Sequence, residues 1–547
     1  GEALKTQLRV ASLAAFGLED KPALLRCAGV IVQYLQATQR SALSHLASLM
    51  VYNVHDHMSL DPATRRNLEL VEGIRSRGVK GSLLAVLDMT VTPMGARLLR
   101  RWLQQPLLDV SSILRRQGAV AVLYREAAVC AAIARVLRSC SDLERLVTRV
   151  TLGVAGPREL QSLRATLEAV PTLAREVGSA VGEGKASEEG AALVEAMDGL
   201  DPCADVVALI QAAIAEDPPA STRGGGYIRQ GYSAELDSLA AASHSAKLWI
   251  ADLEQRERER TGIRSLKVGY NKVFGYYLEV TKAHLAAVPG DYVRKQTLVN
   301  GERYVTSELK EQESLVLHAE SRLGELEQEI YRDILRQVGA KADVLLRVAR
   351  ALGQLDVFVS LAEVARRNAY CRPTVDDGDV IEVLGGRHPV VERALPPMAF
   401  VANDVRLSSE ERIMVVTGPN MSGKSTYLRQ VALIVLLAQI GSFVPADSAH
   451  IGVVDRIFTR VGAQDEISAG QSTFMVEMVE TALILSQCTS RSLLILDEVG
   501  RGTSTYDGLA IAQAVLEYIH NSPRHQAKTL FATHFHELVT LEKNLTS

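Results

Sequence analysis

A multidomain architecture is predicted by this 547-residue sequence: a mainly α-helical region with a β-rich insertion, followed by an α/β P-loop domain. Three observations predict it. Apolar residues recur every three or four positions through residues 1–240, the spacing of amphipathic helices. Residues 264–310 switch to alternating, β-branched and aromatic chemistry with glycine at the turns. After Pro373, short apolar strands alternate with helices, and one strand runs directly into a glycine-rich loop. At roughly 150 residues per domain, the length allows three or four domains.

In the first region, Leu83, Leu84 and Leu87, then Met94, Leu98, Leu99 and Trp102, follow helical spacing, with Pro93 near the start of the second run and Pro106 ending it. Residues 177–190 are rich in Gly, Glu and Ser and read as a surface loop. Pro218-Pro219 and Gly224-Gly225-Gly226 mark a break. The β-rich segment contains KVGYNKVFGYYLEVTK. Its 47 residues hold eight Lys/Arg against four Asp/Glu, a local net charge of +4, together with six aromatics. Residues 308–368 then return to helix, as one or two long segments. Leu323, Leu326, Ile330, Ile334, Val338, Leu345, Val348 and Leu352 keep the period. A continuous helix there would reach roughly 80–90 Å at 1.5 Å per residue, and Gly324, Gly339 and Gly353 permit a break. Two arrangements remain open: a stalk carrying the β module at its tip, or an ordinary helical domain with an inserted hairpin.

Composition excludes several classes. A chain that is 47% hydrophobic and 23% charged has real cores and is not globally disordered. Its net charge of −4 advertises no nucleic-acid or membrane partner, so any such partner must meet a local patch. The apolar run Val431 to Ala438 falls well short of the ~20 residues of a spanning helix. The opening GEALKTQLRV lacks the apolar core of a signal peptide, and residue 1 is Gly, so the chain need not begin where its gene begins. The six cysteines are scattered without a C-x-x-C pair, which points to free thiols in a reducing compartment and away from zinc.

The chemistry lies in the last third. Gly418-Pro419-Asn420-Met421-Ser422-Gly423-Lys424-Ser425 follows an expected strand at residues 413–417 and opens an apolar helix from Thr426. Glycines let backbone N–H groups curl around phosphate oxygens, and the helix adds its positive end. Lys424 would reach the β- and γ-phosphates and the Ser425 hydroxyl would ligate Mg²⁺. A second apolar strand ends in Asp497-Glu498, 73 residues after Lys424. Asp497 suits the magnesium site, and Glu498 suits polarisation of an attacking water. His534 follows a third strand, where it would sense the γ-phosphate or simply be a satisfied structural histidine.

At this point the chain closely resembles the MutS family of DNA mismatch-repair ATPases. TGPNMSGKST, IFTRVGAQDEISAGQSTFMVEM, LLILDEVGRGTSTYDG and FATHFHEL are similar to its four ATPase signatures, in order. Upstream, LDPATRRNLEL, LDMTVTPMGARLLRRWLQQPL and GYNKVFGYYLEVTK are similar to its lever and clamp segments. Ser422 departs from the glycine common in the family and is compatible with a P-loop.

The resemblance implies a lever/core domain over 1–245, with a connector end at 1–20, and a DNA clamp over 246–316. It further implies lever return helices over 317–371 and an ABC-type ATPase domain over 372–547. It implies ATP or ADP with Mg²⁺ as cofactors, held by Gly418 to Thr426. Phe400 would stack on adenine, Ser472 would reach a nucleotide bound by a second subunit, and Asp507 would belong to the loop joining the two sites. Lys267, Lys272, Lys282, Arg294, Lys295 and Arg303 become candidates for phosphate contacts with double-stranded, mismatched DNA. A homodimer, a MutL-type partner and a bacterial cytoplasmic, nucleoid-associated location are implied as well.

The family's mismatch reader carries a Phe-x-Glu wedge. Phe16-Gly17-Leu18-Glu19 has the wrong spacing, and Phe535-His536-Glu537 lies in the ATPase. The expectation is therefore a fragment without the reader, connector and C-terminal dimerisation elements. The alternative is a family member without a reader, acting on branched or recombining DNA. A transporter or chromosome-condensing ATPase is disfavoured, because no LSGGQ occurs and the gap between Lys424 and Asp497 is too short for long coiled coils.

Overall fold

The computed structural model describes residues 1–8, 10, 13, 21–38, 49, 56–182, 188–271, 275–396, 398–419, 421–461 and 473–543. The chain divides into two compact units. One comprises Gly1–Glu144, Ala165–Pro202 and Asp343–Ser547, the other Arg145–Arg164 and Cys203–Ala342.

In the smaller unit, helix Ala234–Thr261 and helix Ser307–Gly339 run antiparallel, with Lys247 beside Glu320 and Glu235 beside Arg322. Their ends are chemically set. Ser233 and Thr306 each accept a backbone N–H from their own first turn, and Gly262 ends the first helix at φ +70°, a conformation that disfavours residues with a Cβ. Between the two helices the chain forms β1 (Lys267–Asn271), β2 (Gly275–Thr281), β3 (Val293–Thr297) and β4 (Gly301–Val305). They pair as one antiparallel sheet in the order β1-β2-β4-β3. One face packs Leu278, Val280 and Tyr304 against Ala246, Ile250, Leu253, Leu309 and Val316 of the helices. Lower down, the buried Glu327 carboxylate accepts N–H groups from Gly226, Tyr227 (2.8 Å) and Ile228 (3.1 Å), fixing the glycine-rich break onto the second helix.

The expected long return helix is two helices. Ser307–Gly339 stops at one of the glycines that allowed a break, and Ala342–Arg367 follows. The loop expected over 177–190 is shorter than its composition suggested. Helix Pro157–Val181 continues through its first part, because Val170, Leu173 and Val177 extend a buried face at helical spacing.

The larger unit holds two further sheets. β5 (Thr374–Asp376), β6 (Ile381–Gly386), β7 (Asn403–Leu407) and β9 (Ser448–Gly452) form a mixed sheet in the order β5-β9-β6-β7. β8 (Ile413–Thr417), β10 (Ile457–Arg460), β11 (Leu493–Asp497) and β12 (Lys528–Thr533) form a parallel sheet in the order β10-β11-β12-β8. β11 and β12 are buried throughout, as central parallel strands require. Helix Lys424–Gln439 carries the apolar run Val431 to Ala438 and is a core helix. Its Gln439 amide donates to the carbonyls of Leu107 (2.8 Å) and Val454 (3.0 Å). Among the described residues, no helix is long and apolar enough to cross a membrane.

Hydrogen bonds join the helical layer to this α/β core. The Thr459 N–H in β10 donates to Thr64 Oγ1 (3.0 Å), and the Asn67 amide donates to Thr459 Oγ1 (3.1 Å). In the helical layer itself, Asp356 on helix Ala342–Arg367 is fully buried. It accepts the N–H groups of Val91 (3.0 Å) and Thr92 (2.8 Å) and the Thr92 hydroxyl (2.6 Å), at the start of helix Pro93–Gln104. A Cβ on Gly95 would collide with it, so the approach requires glycine. Asp356→Ala leaves these donors buried without an acceptor and is expected to cost about 2–4 kcal/mol. Urea denaturation measures this, and an unchanged midpoint would contradict the role given to Asp356.

Candidate active site

The site is built by strand register. Thr417 of β8 pairs with Thr533 of β12, and Ala532 of β12 pairs with Asp497 of β11. The carboxyl ends of three parallel strands therefore align, and Gly418, Glu498 and His534 leave the sheet along one edge. Ligands of parallel α/β sheets bind in this position.

The loop after β8 turns at Met421 (φ +65°) and Gly423 (φ +95°), and helix Lys424–Gln439 begins at once. The helix thus starts two residues earlier than expected and includes Lys424 and Ser425. The Lys424 ammonium is buried and donates to the carbonyls of Gly418 and Pro419 (2.9 Å), so its stem is folded along the loop interior. A Cβ on Gly418 would approach Ser422 Oγ to 3.2 Å, which shows how tightly the loop is wound. Thr426 is half-buried in the first helical turn.

Asp497 ends β11 and is 4% exposed. Burial pushes its carboxyl up, and the hydrogen bond from Ser425 opposes that. Its Oδ1 has no hydrogen-bond partner among the described residues. A buried carboxylate oxygen without a protein donor, beside a serine hydroxyl, offers hard oxygen ligands of the kind that fit Mg²⁺.

Glu498 stands at φ +59°, a left-handed conformation rare for a residue with a side chain, and its N–H donates to Ala532 O (2.9 Å). The backbone turn aims its carboxylate at His534 Nε2 (3.0 Å) and the Arg501 guanidinium. Burial works to raise the Glu498 carboxyl, but the bonds from His534 and Arg501 outweigh it and hold it below its ordinary value. Arg501 was not singled out in the sequence. The signal available was its place three residues after Glu498, where a turn brings the two together.

Other candidates are placed without being joined to this cluster. Phe400 is half-buried ahead of β7. Asp507 lies in the first turn of helix Thr505–Asn521, where its carboxylate accepts from Ser504 Oγ (2.7 Å) and its N–H donates back to it. Tyr427, also unmarked in the sequence, donates to the Asp404 carbonyl (2.8 Å) and so ties β7 to the P-loop helix. Asn420, Ser472 and Lys272 lie outside the described residues.

On the antiparallel sheet, the candidate cations differ in availability. Lys267, Lys282 and Lys295 are exposed. Arg294 faces Glu302 at 3.4 Å. Arg303 is held by Glu279 (3.1 Å) and Gln296 (3.0 Å) and lies 4.1 Å over the Tyr277 ring, so much of its donor capacity is already used. Glu254 and Glu313 of the flanking helices accept N–H groups from Val268 and Tyr276, and these two carboxylates offset part of the segment's positive charge.

Comparison with known proteins agrees with this organisation. Residues 63–362 match the family model of MutS domain III, and residues 414–547 match MutS domain V. The chain is 52% identical over 525 residues to the DNA mismatch repair protein MutS of Acetivibrio thermocellus, covering 95% of this chain and 59% of that protein. It is 49% identical over 545 residues to the protein of the same name from Dehalococcoides mccartyi strain CBDB1, covering 100% and 63%. The protein of that name from Halothermothrix orenii is 51% identical over 536 residues, covering 97% and 58%. The chain thus spans about three-fifths of the length of these curated relatives. With domains III and V matched in order and the P-loop geometry in place, this chain belongs to the MutS family.

Proposed function

We propose that this chain is the ATP-hydrolysing engine and DNA clamp of a DNA mismatch-repair protein. The observation that carries the reading is the convergence of Lys424, Ser425, Asp497, Glu498 and His534 at the aligned ends of β8, β11 and β12. The names of the relatives agree with it.

Backbone N–H groups of residues 418–426 and the start of helix Lys424–Gln439 cradle the phosphates of ATP. Lys424 exchanges its loop carbonyls for β- and γ-phosphate oxygens. Magnesium bound by Ser425 and Asp497 supplies charge neutralisation for the phosphates. Glu498, ionised, orients the attacking water and takes its proton as the water oxygen bonds to the γ-phosphorus and the bond to the bridging oxygen of ADP breaks. His534 positions Glu498 and the γ-phosphate. Phe400 stacks on adenine, and Ser472 of a second subunit completes the site, with Asp507 in the loop between the two sites. A homodimer follows from that arrangement.

The sheet β1-β2-β4-β3 on its two helices serves as the clamp. Lys267, Lys282 and Lys295 are its exposed lysines among the described candidates, joined by Arg294, Arg303 and Lys272. Nucleotide and DNA bias one another by shifting populations between open and closed forms. ATP binding turns the closed form into a sliding clamp on mismatched duplex, which recruits a MutL-type partner in the bacterial cytoplasm, at the nucleoid.

Glu498→Gln is expected to bind ATP with unchanged affinity and to lose hydrolysis by at least about a hundredfold, because the phosphate contacts remain. Chelating Mg²⁺ should stop turnover in the unaltered chain. Normal turnover in either case, read by phosphate release, would refute the assignment. Replacing Lys267, Lys282 and Lys295 together by Gln should weaken duplex binding and reduce the slope of log K against log salt by about 1 for each DNA phosphate no longer neutralised. An unaltered slope would reject the clamp contacts.

A further inference from the structure

Helix Thr473–Gln487 meets the turn after Glu498 at two points: the backbone of Phe474 packs on Gly502, and one buried carboxylate reaches Gly500. Glu477 is 3% exposed, and its Oε1 accepts the N–H of Gly500. Its Oε2 lies 3.4 Å from the guanidinium of Arg460, itself 2% exposed. Arg460 ends β10, lies 3.3 Å from Glu480, and donates to the Val461 carbonyl at 2.6 Å. The residue before it, Thr459, is the one pinned by Thr64 and Asn67. Gly500 is two residues past Glu498, at φ +90°, and packs so closely on Gly508 that neither glycine has room for a Cβ. The turn that aims Glu498 is therefore held from one side by Gly508 and from the other by Glu477.

We infer that Glu477, anchored by Arg460, is a positioning residue for hydrolysis: it fixes the Gly500 turn and so the direction of the Glu498 carboxylate. Glu477 does not touch the reacting atoms. It sits in the first turns of helix Thr473–Gln487, so a displacement of that helix reaches the turn after Glu498 through the Glu477–Gly500 hydrogen bond and the packing of Phe474 on Gly502. The inference rests on Glu498 acting on the attacking water, as proposed above.

The chemistry requires a carboxylate. Gly500 N–H and Arg460 are both donors, and only a group with two acceptor oxygens satisfies both. An amide of the same size must turn its NH₂ toward one of them, breaking that link and placing donor against donor. Glu477→Gln is therefore the informative change, whereas Glu477→Ala strips a buried arginine of its partner and risks unfolding the domain.

The test measures steady-state ATP hydrolysis and the binding of a fluorescent ATP analogue by the full chain with Mg²⁺, in the unaltered form, Glu477→Gln and Glu498→Gln. Thermal midpoints are taken in parallel. Glu477→Gln is expected to lower kcat about ten- to a hundredfold, the scale of a misplaced catalytic group, with nucleotide affinity unchanged. An unchanged kcat, or an affinity that falls by the same factor as kcat, would overturn the inference, since the first denies any role and the second shows general damage to the site. Normal hydrolysis by Glu498→Gln is a different outcome. It would remove the reading on which the inference rests, whereas a failure of Glu477→Gln alone leaves that reading standing.

Discussion

The parallel pairing of β8, β12 and β11 is the constraint on which the rest of the candidate site depends. Strand register is quantised: a slip of one residue turns every side chain to the opposite face. With Thr417 opposite Thr533 and Ala532 opposite Asp497, three segments far apart in the chain end along one line. Only then does Asp497 come within the influence of Ser425 and can His534 bond Glu498. The fully buried interiors of β11 and β12 hold that register, because any shift would expose apolar side chains or bury polar ones.

A second theme is the use of buried carboxylates as clamps. Asp356 holds the segment at Val91 and Thr92, Glu327 holds residues 226–228, and Glu477 holds Gly500. In each case an acid on a long helix accepts backbone N–H groups of a remote loop. A carboxylate has two oxygens and several lone pairs, so one side chain can satisfy two or three donors that water cannot reach. Such links are directional, unlike apolar contacts, and they define where a loop sits to within a hydrogen-bond length. The turn bearing Glu498 needs that precision because its backbone adopts a conformation that the residue itself disfavours.

Much of the candidate site was legible in the sequence because it is local. The G-x-x-x-x-G-K-S spacing dictates a loop closed by Lys424 and Ser425, and an apolar run ending in Asp497-Glu498 reads as a buried strand with carboxylates at its tip. Long helices and the β-rich insertion were legible from period. The end of helix Pro157–Val181 was not, because its Gly- and Ser-rich composition concealed a buried Val177. Arg303 looked as available as any other cation until the sheet laid it over Tyr277 and beside Glu279. Glu477 and Arg460 both fall within IFTRVGAQDEISAGQSTFMVEM, but nothing in that segment pairs them, since a buried ion pair leaves no periodic trace.

By itself the sequence determined the class of each element, the phosphate-binding loop and the identity of the groups able to do chemistry, since these depend on residue type and short spacing. Tertiary structure alone decided which carboxylate oxygen lacks a donor among the described residues, which acid is held ionised and which of the described cations are exposed. Those properties come from burial and from the neighbours the fold supplies: Arg501 and His534 for Glu498, and Glu279 and Gln296 for Arg303. Solvent exclusion and hydrogen-bond geometry are properties of the packed chain, and no window along the sequence contains them.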